Sequence, residues 1–153
     1  MKERLITSEG LVKLNKRFKD LLKEKEHWVK EKQIAAEHGD RSENAEYHAA
    51  KENIRNIDKQ LFKLEKIINT AVPMETKNRS NDKIVFGSIV DLSVNENEEL
   101  TVKLVGTNEL DLYPSERYMA ISVLSPMGQA LIGKELDDSF TLRGKEYIIE
   151  DIE

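Results

Sequence analysis

Asp40 and Glu43 are the residues whose type and spacing could do chemistry in this sequence. They sit three apart in Gly39-Asp40-Arg41-Ser42-Glu43-Asn44-Ala45-Glu46-Tyr47. Carboxylates at that spacing can face one way and offer oxygen ligands to Mg²⁺, a hard cation that often takes one or two carboxylates and completes its shell with phosphate. The commoner use of D-x-x-E is a capping box, with Asp40 at the N-cap of a helix and Glu43 bonding back from its first turn. Acidic residues are favoured there by the helix dipole in any case, and the two uses can coexist. Ser42 and Asn44 flank the pair, either to cap the helix or to position water or phosphate by hydrogen bonding.

Something long has to carry that turn. Leu11, Leu14, Phe18, Leu21, Lys25, Trp28, Lys32 and Ala35 follow steps of three and four. After the break at His38-Gly39-Asp40 the rhythm resumes in Tyr47, Ala50, Ile54, Ile57, Leu61, Leu64 and Ile68. Each set lies on one seam of a helix, and two equal seams joined by a short break predict an antiparallel helical hairpin. The first helix, from near Ser8 to near Glu37, would be about 45 Å long. Its seam is richly apolar at the base and thins toward the break, so the tip should be the less stable end.

Helix two stops at Pro73, and a polar linker occupies 75–82. Beyond it the period becomes β-like in Ile84–Val94, Leu100–Val105, Ala120–Val123, Ser139–Leu142 and Tyr147–Ile152. Turns are expected at Asn95–Glu98 and Arg143–Lys145. Ser125-Pro126 predicts a short helix with Ser as N-cap and Pro at its first position, ending near Gly133. The class is therefore α+β: a coiled-coil hairpin arm over 1–74, a linker, and a small antiparallel sheet with one short helix over 83–153.

Charge divides along the same line. Residues 1–73 hold 16 Lys/Arg against 13 Asp/Glu, net +3; residues 74–153 hold 8 against 16, net −8. Two surfaces with different partners are expected. Lys51, Arg55, Lys59 and Lys63 recur every four residues as one basic stripe beside the seam, a spacing that costs an isolated helix a few tenths of a kcal/mol per pair. Phosphate contact would give the stripe a use; a solvated face partly neutralised by Glu52 and Asp58 is the alternative. Cysteine is absent, so disulfides and thiolate metal sites are excluded. The three histidines lack zinc-ligand spacing. No apolar run suits a signal peptide or a membrane span, so a cytoplasmic protein is expected.

The tip run from Gly39 to Glu52 resembles the tip signature of the Gre transcript cleavage factors. Ile121-Ser122-Val123-Leu124-Ser125-Pro126 with Ala130-Leu131-Ile132-Gly133-Lys134 is similar to the C-terminal signature of that family, and Thr7–Leu11 and Val85-Phe86-Gly87 also match. The resemblance implies an N-terminal coiled-coil hairpin and a C-terminal domain like the FK506-binding proteins. It implies RNA polymerase as partner, with the C-terminal domain docking at the rim of the secondary channel through Leu124, Ser125 and Pro126. The hairpin would reach the active site, where Asp40 and Glu43 help hold a Mg²⁺ shared with the polymerase, none being tightly bound to the free protein. Arg41, Ser42 and Asn44 would support the tip, and Lys51, Arg55 and Lys59 would contact polymerase or the nascent RNA 3′ end. The protein would be an accessory factor rather than an enzyme, and a monomer.

Three departures from the family pattern stand out. Arg41 is GreB-like whereas Glu46–Ala50 is GreA-like. Leu124 stands where a polar residue is usual, and Gly128-Gln129 replaces Ala-Arg. Competing readings are a non-cleaving channel regulator on the same scaffold, a prolyl isomerase or chaperone, and a structural coiled-coil adaptor. Retention of both tip carboxylates opposes the first. The second lacks aromatics beyond Thr76 to line a pocket, and the third leaves the tip sequence unused.

Overall fold

The computed structural model describes residues 4–40, 43–76 and 81–153. Two compact units emerge, one from 12–70 and the other from 1–11 with 71–153.

The unit of 12–70 is the helical hairpin. Helix α1 (Ser8–Glu37) starts in the other unit and continues through this one; α2 (Ala45–Thr70) returns. The expected seam is the observed one. Leu14, Leu21 and Ala35 of α1 and Ala50, Ile57, Leu61 and Leu64 of α2 are buried. Lys25, Trp28, Lys32, Tyr47, Ile54 and Ile68 are half-buried along the same line. Lys25 Nζ reaches Asp58 Oδ1 at 2.7 Å across the hairpin. Exposed as it is, that pair contributes less to stability than to register.

The second unit is a five-stranded sheet with a short helix. Its strands are β3 (Ile89–Val94), β4 (Glu98–Val105), β5 (Met119–Ser122), β6 (Ser139–Leu142) and β7 (Lys145–Ile152), in the order β5-β4-β3-β7-β6. Alternation along β3 turns Val90, Leu92 and Val94 inward. On β7, Tyr147 and Ile149 alternate inward, and a bulge opposite Asp91 and Leu92 then shifts the phase so that Ile152 is buried too. The hairpin turns are tight: Asn95 and Glu96, and Arg143 and Gly144, all have positive φ, as the type I′ turn between twisted strands requires.

Three features differ from expectation. The sheet is mixed, because β5 runs parallel to β4; the connection between them passes through a 3₁₀ helix, Thr107–Leu112, and crosses back so that Met119 enters beside Val102 and Ser122 ends beside Val105. The run expected from Ile84 becomes a strand only at Ile89. Gly87 (φ +91°) breaks it, while Ile84 exchanges main-chain bonds with Lys134 and Gly133 in the loop after α3 (Pro126–Leu131). Lastly, residues 4–11 group with the C-terminal unit rather than with the arm set at 1–74. The reason is a parallel pair of three-residue strands, β1 (Leu5–Thr7) and β2 (Val72–Met74), too short to leave a period in the sequence.

That N-terminal corner is fastened by a buried carboxylate. Glu109 on the 3₁₀ helix is fully buried. Its Oε2 accepts from the Thr7 N–H at 2.7 Å and the Gly106 N–H at 2.8 Å; its Oε1 accepts from the Thr7 hydroxyl at 2.6 Å and the Tyr113 hydroxyl at 2.9 Å. Thr7 in turn caps α1, its Oγ1 accepting from the Gly10 N–H at 2.9 Å. Gly10 has to be glycine, since a Cβ there would collide with the Glu109 carboxylate. Lys103 closes the corner, 4.3 Å from the Tyr113 ring centroid and 3.6 Å from Glu9 Oε2. Burial, with the Glu109 carboxylate adding to it, pushes the Tyr113 phenol well above the ordinary tyrosine value.

Candidate functional site

The tip is built by Asn44. Its Nδ2 donates to the Ala35 carbonyl at 2.6 Å, in the last turns of α1, while its Oδ1 accepts from the Tyr47 N–H at 3.1 Å in the first turn of α2. One side chain thus caps the incoming helix and ties it to the outgoing one. The Ala35 carbonyl also accepts from the His38 N–H at 3.1 Å. Gly39 takes φ +121°, a backbone state open to glycine at little cost, and the chain reverses. Ala35 and Ala50 are buried behind the turn, small enough for the helices to approach closely.

This arrangement corrects the capping reading of the sequence. Helix α2 begins at Ala45, five residues after Asp40, so Asp40 does not stand at its N-cap and Glu43 is not in its first turn. Asn and Asp cap about equally well, and here the asparagine was chosen because it also reaches Ala35. Both carboxylates are left in the turn itself. Asp40 and Glu43 are exposed and line one shallow depression with His38, Asn44, Ala45 and Glu46. Arg41 and Ser42 lie outside the described residues.

Two exposed carboxylates are suitable hard ligands for Mg²⁺ but fill little of an octahedral shell. Although His38 and Glu46 share the depression, no three His, Cys, Asp or Glu side chains converge on a metal-ligating group among the described residues. The donor set fits a cation whose remaining ligands come from another molecule.

The basic stripe is also assembled. Lys51, Arg55, Lys59 and Lys63 line one groove along α2, with Lys32 facing them from α1. Tyr47, at the start of that face, is half-buried on the seam, with the Lys51 ammonium 5.5 Å from its ring centroid.

In the second unit Ser125 caps α3 as expected. Its Oγ accepts from the Gly128 N–H at 3.0 Å and donates to the Ser122 carbonyl at 2.7 Å, with Pro126 next in the chain and exposed. Leu124 packs against the core of the sheet unit, which accounts for an apolar residue there. Gly128-Gln129 forms a matched pair. A Cβ at 128 would collide with the Ser122 carbonyl, and Gln129 Nε2 donates to the Val123 carbonyl at 2.7 Å. Ser125, Pro126 and Met127 border a depression floored by Ile121, Leu142 and Tyr147. Of the residues expected to dock, Pro126 is thus exposed, while Leu124 and Ser125 are half-buried and engaged within the unit.

A hairpin with carboxylates at its tip, followed by a small mixed-sheet unit, defines a two-part protein. Residues 4–72 match the family described as "Transcription elongation factor, N-terminal", and residues 79–153 match "Transcription elongation factor, GreA/GreB, C-term". The chain belongs to the Gre family of transcription elongation factors. It is 38% identical to the transcription elongation factor GreA of Pelobacter propionicus, covering 96% of this chain and 94% of that one. The GreA of Anaeromyxobacter sp. (strain K) is 37% identical, covering 96% and 90%. Among solved structures it is similar to Thermus aquaticus Gfh1, at 29% identity, 99% coverage of each chain and a TM-score of 0.46. Among the described residues no helix is long and apolar enough to cross a membrane.

Proposed function

We propose that this elongation factor binds RNA polymerase, enters its secondary channel tip first, and stimulates endonucleolytic cleavage of backtracked nascent RNA. The observation that carries the reading is the division of labour at the tip. Asn44 closes the turn, so Asp40 and Glu43 stay in the exposed depression and are not used as helix caps.

In this reading the two carboxylates help hold a Mg²⁺ whose other ligands belong to the polymerase. The ion, when bound, would supply Lewis-acid stabilisation of the attacking and leaving oxygens of a phosphodiester. The chain's own contribution is to carry two carboxylates at the end of the helical hairpin, where Asn44 ties the two helices together. The protein acts as an accessory factor, completing a site in trans rather than catalysing alone. The stripe Lys51, Arg55 and Lys59 faces nascent RNA or polymerase, Arg41 and Ser42 support the tip, and the border at Ser125-Pro126 contributes to docking.

The test is a backtracked elongation complex carrying 3′-labelled RNA, Mg²⁺ and the cognate polymerase. The wild-type protein is expected to speed release of short 3′ fragments by orders of magnitude. Asp40→Ala/Glu43→Ala is expected to bind polymerase yet leave cleavage at the rate of polymerase alone. If the wild type binds without accelerating cleavage, the reading is wrong.

A further inference from the structure

The sheet unit is acidic, yet the depression beside α3 has the opposite sign. Residues 74–153 carry a net charge of −8. Among the cations described there, Lys103 is held by Glu9 and the Tyr113 ring, Arg117 by Glu153, and Lys134 lies over the Phe140 ring. Arg143 and Lys145 are exposed, and among the described residues no ion pair holds either one. Both line the depression, and no carboxylate among the described residues lines it with them.

Strand register puts the cations there. Leu142 on β6 pairs with Lys145 on β7, and Phe140 pairs with Tyr147, so these four side chains share one face of the sheet. Tyr147 is buried on that face, its ring stacked on Phe140 at 5.0 Å between centroids. Arg143 and Gly144 make the turn, both at positive φ, a tight form that leaves the strand ends little freedom. The two cations thus stand at the edge of an apolar floor made by Ile121, Leu142 and Tyr147, with Leu110, 39% exposed, beside it. The depression measures about 530 Å³, room for a large apolar side chain. On its α3 border Leu124 and Ser125 are engaged within the unit, which leaves Pro126 exposed and without charge.

We propose that Arg143 and Lys145 select the docking partner: an acidic protein segment whose apolar side chain enters the depression while its carboxylates meet the two cations. The proposal rests on the reading that this unit docks on RNA polymerase, and adds to it the charge that the polymerase segment must carry. Complementary charge of this kind speeds encounter and rejects wrong partners more than it tightens the final complex. The rest of the unit, being acidic, is repelled by the same segment. A single orientation is favoured, with the turn at Arg143 and Gly144 leading.

The experiment follows binding of the full chain to immobilised cognate polymerase by biolayer interferometry over a range of salt. Arg143→Glu/Lys145→Glu is expected to weaken low-salt binding roughly tenfold, chiefly through slower association, and to lose most of the wild type's salt dependence. Arg143→Lys should bind as the wild type does. Lys145→Glu alone should weaken binding several-fold. Lys83→Glu, at an exposed cation outside the depression, should stay close to wild type. Leu110→Ser should weaken binding roughly fivefold with the salt dependence kept. Urea unfolding like that of the wild type establishes that each variant is folded. Arg143→p-benzoylphenylalanine, irradiated in the complex, should cross-link to a polymerase segment that bears Asp or Glu. A cross-link to a segment without carboxylates, undiminished binding by the double reversal, or equal damage from Lys83→Glu and Lys145→Glu would each overturn the proposal. If the double reversal binds normally while wild type stimulates cleavage, this proposal falls and the proposed function stands. If binding depends on Arg143 and Lys145 while wild type stimulates no cleavage, the proposed function falls and the docking contact stands. Absence of wild-type binding overturns both.

Discussion

Two carboxylate sites in this molecule stand at opposite extremes. Glu109 is fully buried, with four hydrogen bonds converging on its two oxygens. Asp40 and Glu43 lie exposed in a turn whose closure is the task of another residue. Burying an anion is costly unless every lone pair is met, and around Glu109 the fold has arranged that. The contrast separates carboxylates that hold the structure from carboxylates the structure holds out.

The contrast breaks most visibly in function. Asp40→Ala/Glu43→Ala should remove stimulated cleavage altogether, while urea unfolding shifts by less than about 0.5 kcal/mol, as for other surface substitutions. A comparable loss of stability would place these residues in the scaffold after all. Glu109→Ala should behave in the opposite way. Four donors lose their acceptor in a dry corner, and unfolding free energy should fall by about 3–5 kcal/mol, measured by urea titration.

Tyr113→Phe sharpens the buried side. It removes one hydroxyl from the cluster and should cost about 1.5–3 kcal/mol, as for a hydrogen bond to a charged group. The Tyr113 phenol titrates above its ordinary value of 10.0 when folded. Its contribution is therefore fully present below pH 10 and is lost as pH rises beyond it, because the unfolded chain ionises first. Wild type should lose stability over that alkaline range, and the phenylalanine variant should lose less of it, as a pH series of thermal melts would show. The smallest effect belongs to Asn44→Ala. Loss of the cap should cost about 1 kcal/mol, seen as faster amide exchange confined to the tip, with cleavage reduced rather than abolished. Exchange that quickens along all of α2 would mean that the clasp governs the whole hairpin.

Much of this was legible in the sequence, and the gaps have physical reasons. The hairpin was plain because fifteen seam residues repeat a period that nothing else produces. The turns at Asn95 and Gly144 were plain because few residues tolerate positive φ. The cap was misread at Asp40 because Asp and Asn are equivalent by propensity; only the distance to the Ala35 carbonyl separates them. Glu109 gave no signal, since a glutamate in a polar stretch reads as surface until its partner 102 residues away is known. The β1–β2 pair left none either, being three residues on each strand. At the site the carboxylates were evident from type and spacing.

Asn44 closes the turn through a main-chain carbonyl of α1 and a main-chain N–H of α2, and neither bond involves the side chains of Asp40 or Glu43. The clasp is thus made between the two helices themselves. Substituting Asp40 or Glu43 therefore leaves both Asn44 bonds with their partners. A variant altered at those two positions alone should keep its helices joined at the tip.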